Sequence, residues 1–199
     1  MPELPEVESL RAGLEKVLKS RTIKNIEIRN GKLVNGSGTK RSISKKKSTE
    51  FVDNLKDKKI LSVKRRAKNI FIELDTKEII LVHLKMTGQL VYENQKTGKV
   101  KNNIVTGGHP IEESYRQTLP HKHTHIIFTL DSGTLYYNDV RKFGYVLYYK
   151  SIDAAVDAKH FSKIGLEPFD PAFTFTYFRD EIKKKNKALK TVLLEQSVV

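Results

Sequence analysis

The chain has 199 residues, enough for one full domain or for one domain and part of another. Lys and Arg number 37 against 23 Asp and Glu, a formal net charge of +14, so the natural partner is a polyanion: nucleic acid first, an anionic membrane surface second. Cysteine is absent, which excludes disulfides and thiolate zinc sites, and no apolar run approaches the roughly 18 residues that span a membrane.

The start is Met1-Pro2-Glu3-Leu4-Pro5-Glu6-Val7-Glu8. It is acidic and lacks an apolar signal core, so the expectation is an intracellular protein. Two compatible readings apply. In the plainer one, Pro5 enters a helix and Glu6 and Glu8 face the positive end of its dipole. In the other, loss of Met1 leaves Pro2 with a free secondary amine. An α-amino group has a pKa of roughly 7.7–8.0, so much of it is neutral and nucleophilic near neutral pH. Glu3 would then stand beside it as a proton carrier.

Val7, Leu10, Leu14, Val17 and Leu18 share one helical face and predict a first helix of three to four turns. Ile23, Ile26 and Ile28 predict a strand. From Gly31 to Lys47 the chain is rich in Gly, Ser and Lys and reads as a solvated loop. The apolar patch Phe51–Leu55 has no assignable type. Strand-like runs follow at Ile60–Val63, Ile70–Leu74 and Glu78–Leu84, with tight turns between them, and indicate an antiparallel sheet. Residues 92–120 are polar, longer than an ordinary connection, and read as an insertion or loop. Strands resume at His123–Leu130, Thr134–Tyr137 and Tyr145–Tyr149. After about residue 150 the character turns helical: Ile152–Phe161, a helix capped by Thr176, and a segment over 188–194, with Gly165–Pro168 as a linker. The sequence stops on Ser197-Val198-Val199, and the expectation is of a chain cut within a helical domain.

Several motifs carry chemistry. Lys64-Arg65-Arg66-Ala67-Lys68 lies between two strands and reads either as a charged edge or as a phosphate grip. His83-Leu84-Lys85-Met86-Thr87-Gly88 puts a methionine in a turn, either as core or as a wedge for a base stack. Arg141-Lys142-Phe143-Gly144 sets a guanidinium beside an aromatic ring, a pair that packs as a surface turn or stacks on bases. His121, His123 and His125 alternate, so a strand would put all three on one face. No carboxylate stands near them in sequence, and no metal site is assigned.

Taken together and in order, these pieces resemble the formamidopyrimidine-DNA glycosylase (Fpg/Nei) family. They are Pro2–Glu8, Arg65–Lys68, His83–Gly88, Lys122–His125, Asp139–Gly144, Gly165–Pro168 and Leu189–Gln196. The resemblance covers nearly the whole chain apart from residues 92–120. It implies an α+β fold: an antiparallel β-sandwich flanked by helices over residues 1–150, then a linker and the beginning of an all-α helix–two-turn–helix domain over 151–199. It implies a monomeric, cytoplasmic, nucleoid-associated enzyme of base-excision repair. That enzyme is a bifunctional glycosylase and AP lyase working on double-stranded DNA with oxidised purine or abasic sites, with no membrane partner. Pro2 would be the nucleophile and Glu3 the proton donor, Glu6 would support them, and Lys68 and His83 would hold phosphates. Met86, Arg141 and Phe143 would fill the gap left by a flipped nucleotide.

Two departures stand out. The family's later segments are absent: the rest of the helical domain with its DNA-gripping Asn, the base-recognition loop, and the zinc finger of four cysteines with its Arg. No cofactor is expected in this chain, and one structural zinc is expected in a full-length member. Val140 stands where proline is common and Lys85 where a small residue is common. A non-catalytic binder of damaged or bent DNA is the alternative reading. An RNA-binding β domain is a third, and it leaves the opening motif unexplained.

Overall fold

Helix α1 (Leu4–Leu18) follows from its apolar spacing: Val7, Leu10, Leu14 and Leu18 are all buried. Glu3 is the residue that enters it, and Pro5 occupies the second helical position, where a missing N–H has no intrahelical partner to lose. The computed structural model describes residues 2–37, 41–94, 104–108, 118–157, 161 and 164–198, with side chains undescribed over 104–108. Two compact units divide it, Met1–Ile152 and Asp153–Val199.

The first unit is a sandwich of two antiparallel sheets. One holds β1 (Ile23–Ile28), β7 (Thr124–Leu130), β8 (Thr134–Asp139), β5 (Gly88–Glu93) and β6 (Ile104–Gly108), in that spatial order. The other holds β2 (Ile60–Arg66), β3 (Asn69–Leu74), β4 (Ile79–His83) and β9 (Tyr145–Tyr149). Alternating side chains from both sheets meet in one core, with Ile70, Ile72, Ile80, Val82 and Val146 on one side and Leu90, Ile126, Phe128 and Tyr137 on the other. The same core takes in α1 through Leu14 and Leu18. The continuous run Ile79-Ile80-Leu81-Val82 is buried on both faces of its strand, as unbroken apolar strands are.

Three expectations change in this unit. The Gly31–Lys47 segment is not all loop: a 3-10 turn spans Gly31–Val34, and helix α2 (Lys45–Leu55) starts inside the lysine run. Ser44 caps α2 by accepting a hydrogen bond from the Lys47 amide, and Phe51 and Leu55, four residues apart, anchor it in the core. The polar stretch also contains structure, since β5 runs on to Glu93 and β6 pairs with it. The rest of the expected insertion, residues 95–103 and 109–117, lies outside the described residues. Finally, His121 and His123 sit in a turn before β7, so only His125 is on the strand. The His121 Nδ1 accepts from the His123 amide at 3.1 Å and the Thr124 amide donates to the His121 carbonyl, which curls the chain before it extends.

In the second unit, the helix expected over Ile152–Phe161 is described only as the short α3 (Ile152–Val156), and residues 158–160 lie outside the described set. Helix α4 (Phe175–Lys183) is capped by Thr174 rather than Thr176, with the Thr174 hydroxyl accepting from the Tyr177 amide at 3.2 Å. Helix α5 (Leu189–Val192) is a single turn. Tyr177 Oη accepts from the Leu166 amide, and Glu195 bridges Lys185 and Lys187 at 2.8 and 2.6 Å. Among the described residues no helix is long and apolar enough to cross a membrane.

Because Leu14 is fully buried between α1 and the sandwich, Leu14→Ala is expected to cost about 2–5 kcal/mol, read as a lower urea midpoint with an unchanged slope.

Candidate functional site

The site is built at one end of the four-stranded sheet. Arg66 pairs with Asn69, Asn69 with His83, and His83 with Tyr145, a row that crosses all four strands. With strands about 4.8 Å apart, the row is roughly 14 Å long. Three chain segments leave the sheet beside it: the β2–β3 turn with Lys68, the β4–β5 loop with Met86, and the β8–β9 loop with Arg141 and Phe143.

Helix α1 points its N-terminus at the same end. Glu15 accepts a hydrogen bond from the Val63 amide, while Glu8, two turns earlier in the helix, pairs with Arg65 further along β2 at 2.8 Å. Going toward the helix start therefore means going toward the β2–β3 turn. Arg65 also donates to the Ala67 carbonyl at 2.8 Å, so one guanidinium ties the helix to the turn that carries Lys68. Burial alone would raise the Glu8 carboxyl, but hydrogen bonds from Arg11 and Arg65 outweigh it and hold it below its ordinary value. At the helix entry the Glu6 carboxylate accepts from the Glu3 amide at 3.2 Å, which fixes the peptide joining Pro2 to the helix. Pro2 is buried, and Glu3 and Glu6 are exposed.

The two longer loops meet on Asp139, a carboxylate with no exposed surface. Its Oδ1 accepts from the Thr87 hydroxyl at 2.5 Å and from the Arg141 amide at 3.1 Å, and its Oδ2 accepts from the Gly144 amide at 2.8 Å. The Thr87 hydroxyl oxygen accepts from the Arg141 amide as well, at 3.0 Å. A buried chain of Thr124, Asn138 and Gln89 lies beside it, with Thr124 donating to Asn138 at 2.7 Å and Asn138 to Gln89 at 3.2 Å. The effect is to bring Met86, Arg141 and Phe143 together in solvent. Arg141 donates to the Met86 sulfur at 3.1 Å and lies over the Phe143 ring at 4.7 Å from its centroid. Met86 and Phe143 are 41% and 39% exposed, too much surface for core residues of their size.

His83 is buried at the base of this group, 4% exposed, and tilted against Tyr145. Its Nδ1 accepts from the Lys85 amide at 3.0 Å, which in the neutral ring leaves the proton on Nε2. Lys85 lies over the Tyr145 ring at 5.9 Å, and desolvation there lowers its ammonium pKa. Ala67, Lys85 and Lys142, one in each of the three segments, have φ of 49°, 52° and 58°. Non-glycine residues in this left-handed region cost about 1–3 kcal/mol each and persist where the surroundings over-determine them.

The structure thus gathers the sequence-predicted residues into two groups at one end: Pro2, Glu3, Glu6 and the Lys68 turn around the helix entry, and His83, Met86, Arg141 and Phe143 around Asp139. The sequence gives Asp139 and Thr87 no role of their own, and places Glu8 only at the helix dipole and Arg65 only within a basic run. A carboxylate directly before a Gly-ended polar loop is a signal for Asp139; nothing local marks the others. The four-cysteine zinc site implied for longer family members has no ligands in this chain, which holds no cysteine.

Two outcomes test this geometry. A Cβ at Gly144 would stand 1.9 Å from the Tyr137 hydroxyl and 2.8 Å from the His83 carbonyl, so Gly144→Ala is expected to cost about 1–3 kcal/mol. Tyr137→Phe removes the closer obstacle, and the double variant should recover part of that loss in thermal unfolding. The Glu8 carboxyl has a lowered folded pKa, so its stabilisation is present above the ordinary value of 4.5 and lost as pH falls through the folded value. Glu8→Gln should flatten the fall of urea-derived stability between about pH 5 and pH 3.

Comparison with known proteins bears on the same residues. The family model for the formamidopyrimidine-DNA glycosylase N-terminal domain matches residues 1–146. The formamidopyrimidine-DNA glycosylase of Bacillus subtilis is 36% identical, and that of Pelotomaculum thermopropionicum 32% identical, each over 200 aligned residues. The chain is covered completely in both comparisons and spans 61% of each relative's length. A crystal structure of the Lactococcus lactis enzyme, non-covalently bound to DNA containing an abasic site, superposes with a TM-score of 0.74 at 29% identity. It covers all of this chain and 64% of the other. A match over residues 1–146, joined to relatives that align along the full chain, makes the assignment: the chain belongs to the formamidopyrimidine-DNA glycosylase family.

Proposed function

We propose that this chain carries the catalytic and duplex-probing part of a DNA glycosylase of base-excision repair, with AP lyase activity, acting on oxidised purines such as 8-oxoguanine and formamidopyrimidines in double-stranded DNA. The observation that carries the reading is the exposed trio Met86, Arg141 and Phe143, held together at the sheet end toward which the entry of α1 points. An apolar and cationic trio of this kind suits a vacated base position, where it stacks and offsets part of the few kcal/mol that nucleotide extrusion costs. The chain's net charge of +14 suits a phosphate backbone.

The chemistry requires removal of Met1, which turns the Pro2 nitrogen from an amide into a secondary amine. The nitrogen lone pair attacks C1′ of the extruded nucleotide while the bond to the base breaks; the base leaves with the bonding pair and takes up the proton that the proline nitrogen sheds. Glu3 gives a proton to the ring oxygen as the sugar opens, leaving an iminium between Pro2 and C1′. That cation draws electrons from C2′, whose proton is removed by a base as the 3′ phosphate is expelled. A second elimination expels the 5′ phosphate, and water then releases the proline. Glu6 holds the Pro2–Glu3 peptide, and Lys68 and His83 would hold the flanking phosphates.

Borohydride reduction on duplex with an abasic site should trap a covalent complex with the Met1-processed chain. Retention of Met1 should abolish trapping, and Glu3→Gln should reduce the rate by at least about 100-fold. Selective binding of abasic duplex without any trapping would favour the non-catalytic damage binder instead.

A further inference from the structure

Arg41 comes from the Gly-, Ser- and Lys-rich segment, yet its guanidinium reaches a loop a hundred residues away. Nη1 donates to the Gly144 carbonyl at 2.8 Å and Nη2 to the Lys142 carbonyl at 2.7 Å. Nη1 also meets the Gly36 carbonyl at 3.3 Å, and the Asn35 amide group closes on the Ser42 carbonyl at 2.5 Å, so Asn35, Gly36 and Ser42 gather beside the arginine. Lys142 and Gly144 are the two neighbours of Phe143 in the chain. One planar fork therefore fixes the peptide carbonyls on both sides of a single exposed ring. Asp139 already takes the amide protons of Arg141 and Gly144. The donors of the loop go to a carboxylate and its acceptors to a guanidinium, with Lys142 between them at φ 58°.

We infer that Arg41 is a positioning residue for Phe143: it sets the projection of the ring for entry into a damaged duplex without touching the DNA. The functional half of this inference rests on the DNA reading above. A lysine at the position would keep the charge but lose the fork, because an ammonium is a point donor that cannot span two carbonyls in one plane. A direct phosphate contact would behave in the opposite way, since charge alone would sustain it.

The chain contains no tryptophan, so Phe143→Trp supplies a single indole at the ring position. In that background Arg41→Lys and Arg41→Gln are compared with the parent, far-UV circular dichroism confirming the fold of each. Both are expected to lower the indole anisotropy and raise its acrylamide quenching in the absence of DNA. With Phe143 intact, both are expected to lower the preference for abasic over intact duplex about tenfold, leaving intact-duplex affinity within about twofold. Unchanged anisotropy and quenching in both variants would overturn the inference, as would full recovery of the preference by Arg41→Lys. If the parent chain binds the two duplexes alike, the DNA reading fails, while the fluorescence comparison still decides whether Arg41 positions the loop.

Discussion

One buried carboxylate holds the exposed end of the molecule together. Asp139 ends β8 and has no exposed surface, yet its two oxygens take a hydroxyl from the β4–β5 loop and two amides from the β8–β9 loop. A buried charge is tolerated only when its lone pairs are filled, so these loops cannot relax independently without stranding it. The dependence runs inward too. The Asp139 carbonyl meets His125 Nε2 at 2.8 Å, and residue 138 next to it joins Thr124 and Gln89. The sandwich interior and the exposed trio are therefore parts of one hydrogen-bonded assembly.

The elements most legible in sequence were those whose side chains alone decide their state. Helix α1 shows its buried stripe at helical spacing, and β3, β4 and β7 show β-branched runs between turns. The loops of Met86, Arg141 and Phe143 left a packed and an exposed reading open, and only the ordered set of motifs drew the three together. What was not legible depended on distant partners. Lysines at the start of α2 oppose the helix dipole, and the helix stands because Phe51 and Leu55 find a core that sequence alone does not locate. Strand β6 is stabilised by its pairing with β5 and has a Gly-Gly end that argues locally against a strand. The alternation of His121, His123 and His125 looked like a sheet face, but a local turn won at the first two.

Electrostatics divides along the same line. Most ion pairs are exposed and contribute little. The pair of Glu8 and Arg65 differs because it is architectural: it fixes where the entry of α1 lies relative to the β2–β3 turn. In the reading proposed here, that relation sets the distance between an amine at Pro2 and a phosphate held by Lys68. A partly buried pair has thereby a geometric role larger than its Coulomb energy.

The contact of Arg141 with both Met86 and Phe143 has a kinetic meaning. Three long side chains are already ordered against one another before any duplex arrives. Ordering a free side chain at an interface costs about 0.5–1.5 kcal/mol, so most of that entropy is lost on folding rather than on binding. In the proposed DNA reading, the trio acts as a stiff probe pressed against a deformable rod. Intact and damaged duplexes present it with the same phosphates and differ in how easily a base step opens. On that reading, discrimination is a measurement of DNA compliance, made by a tip that does not itself bend.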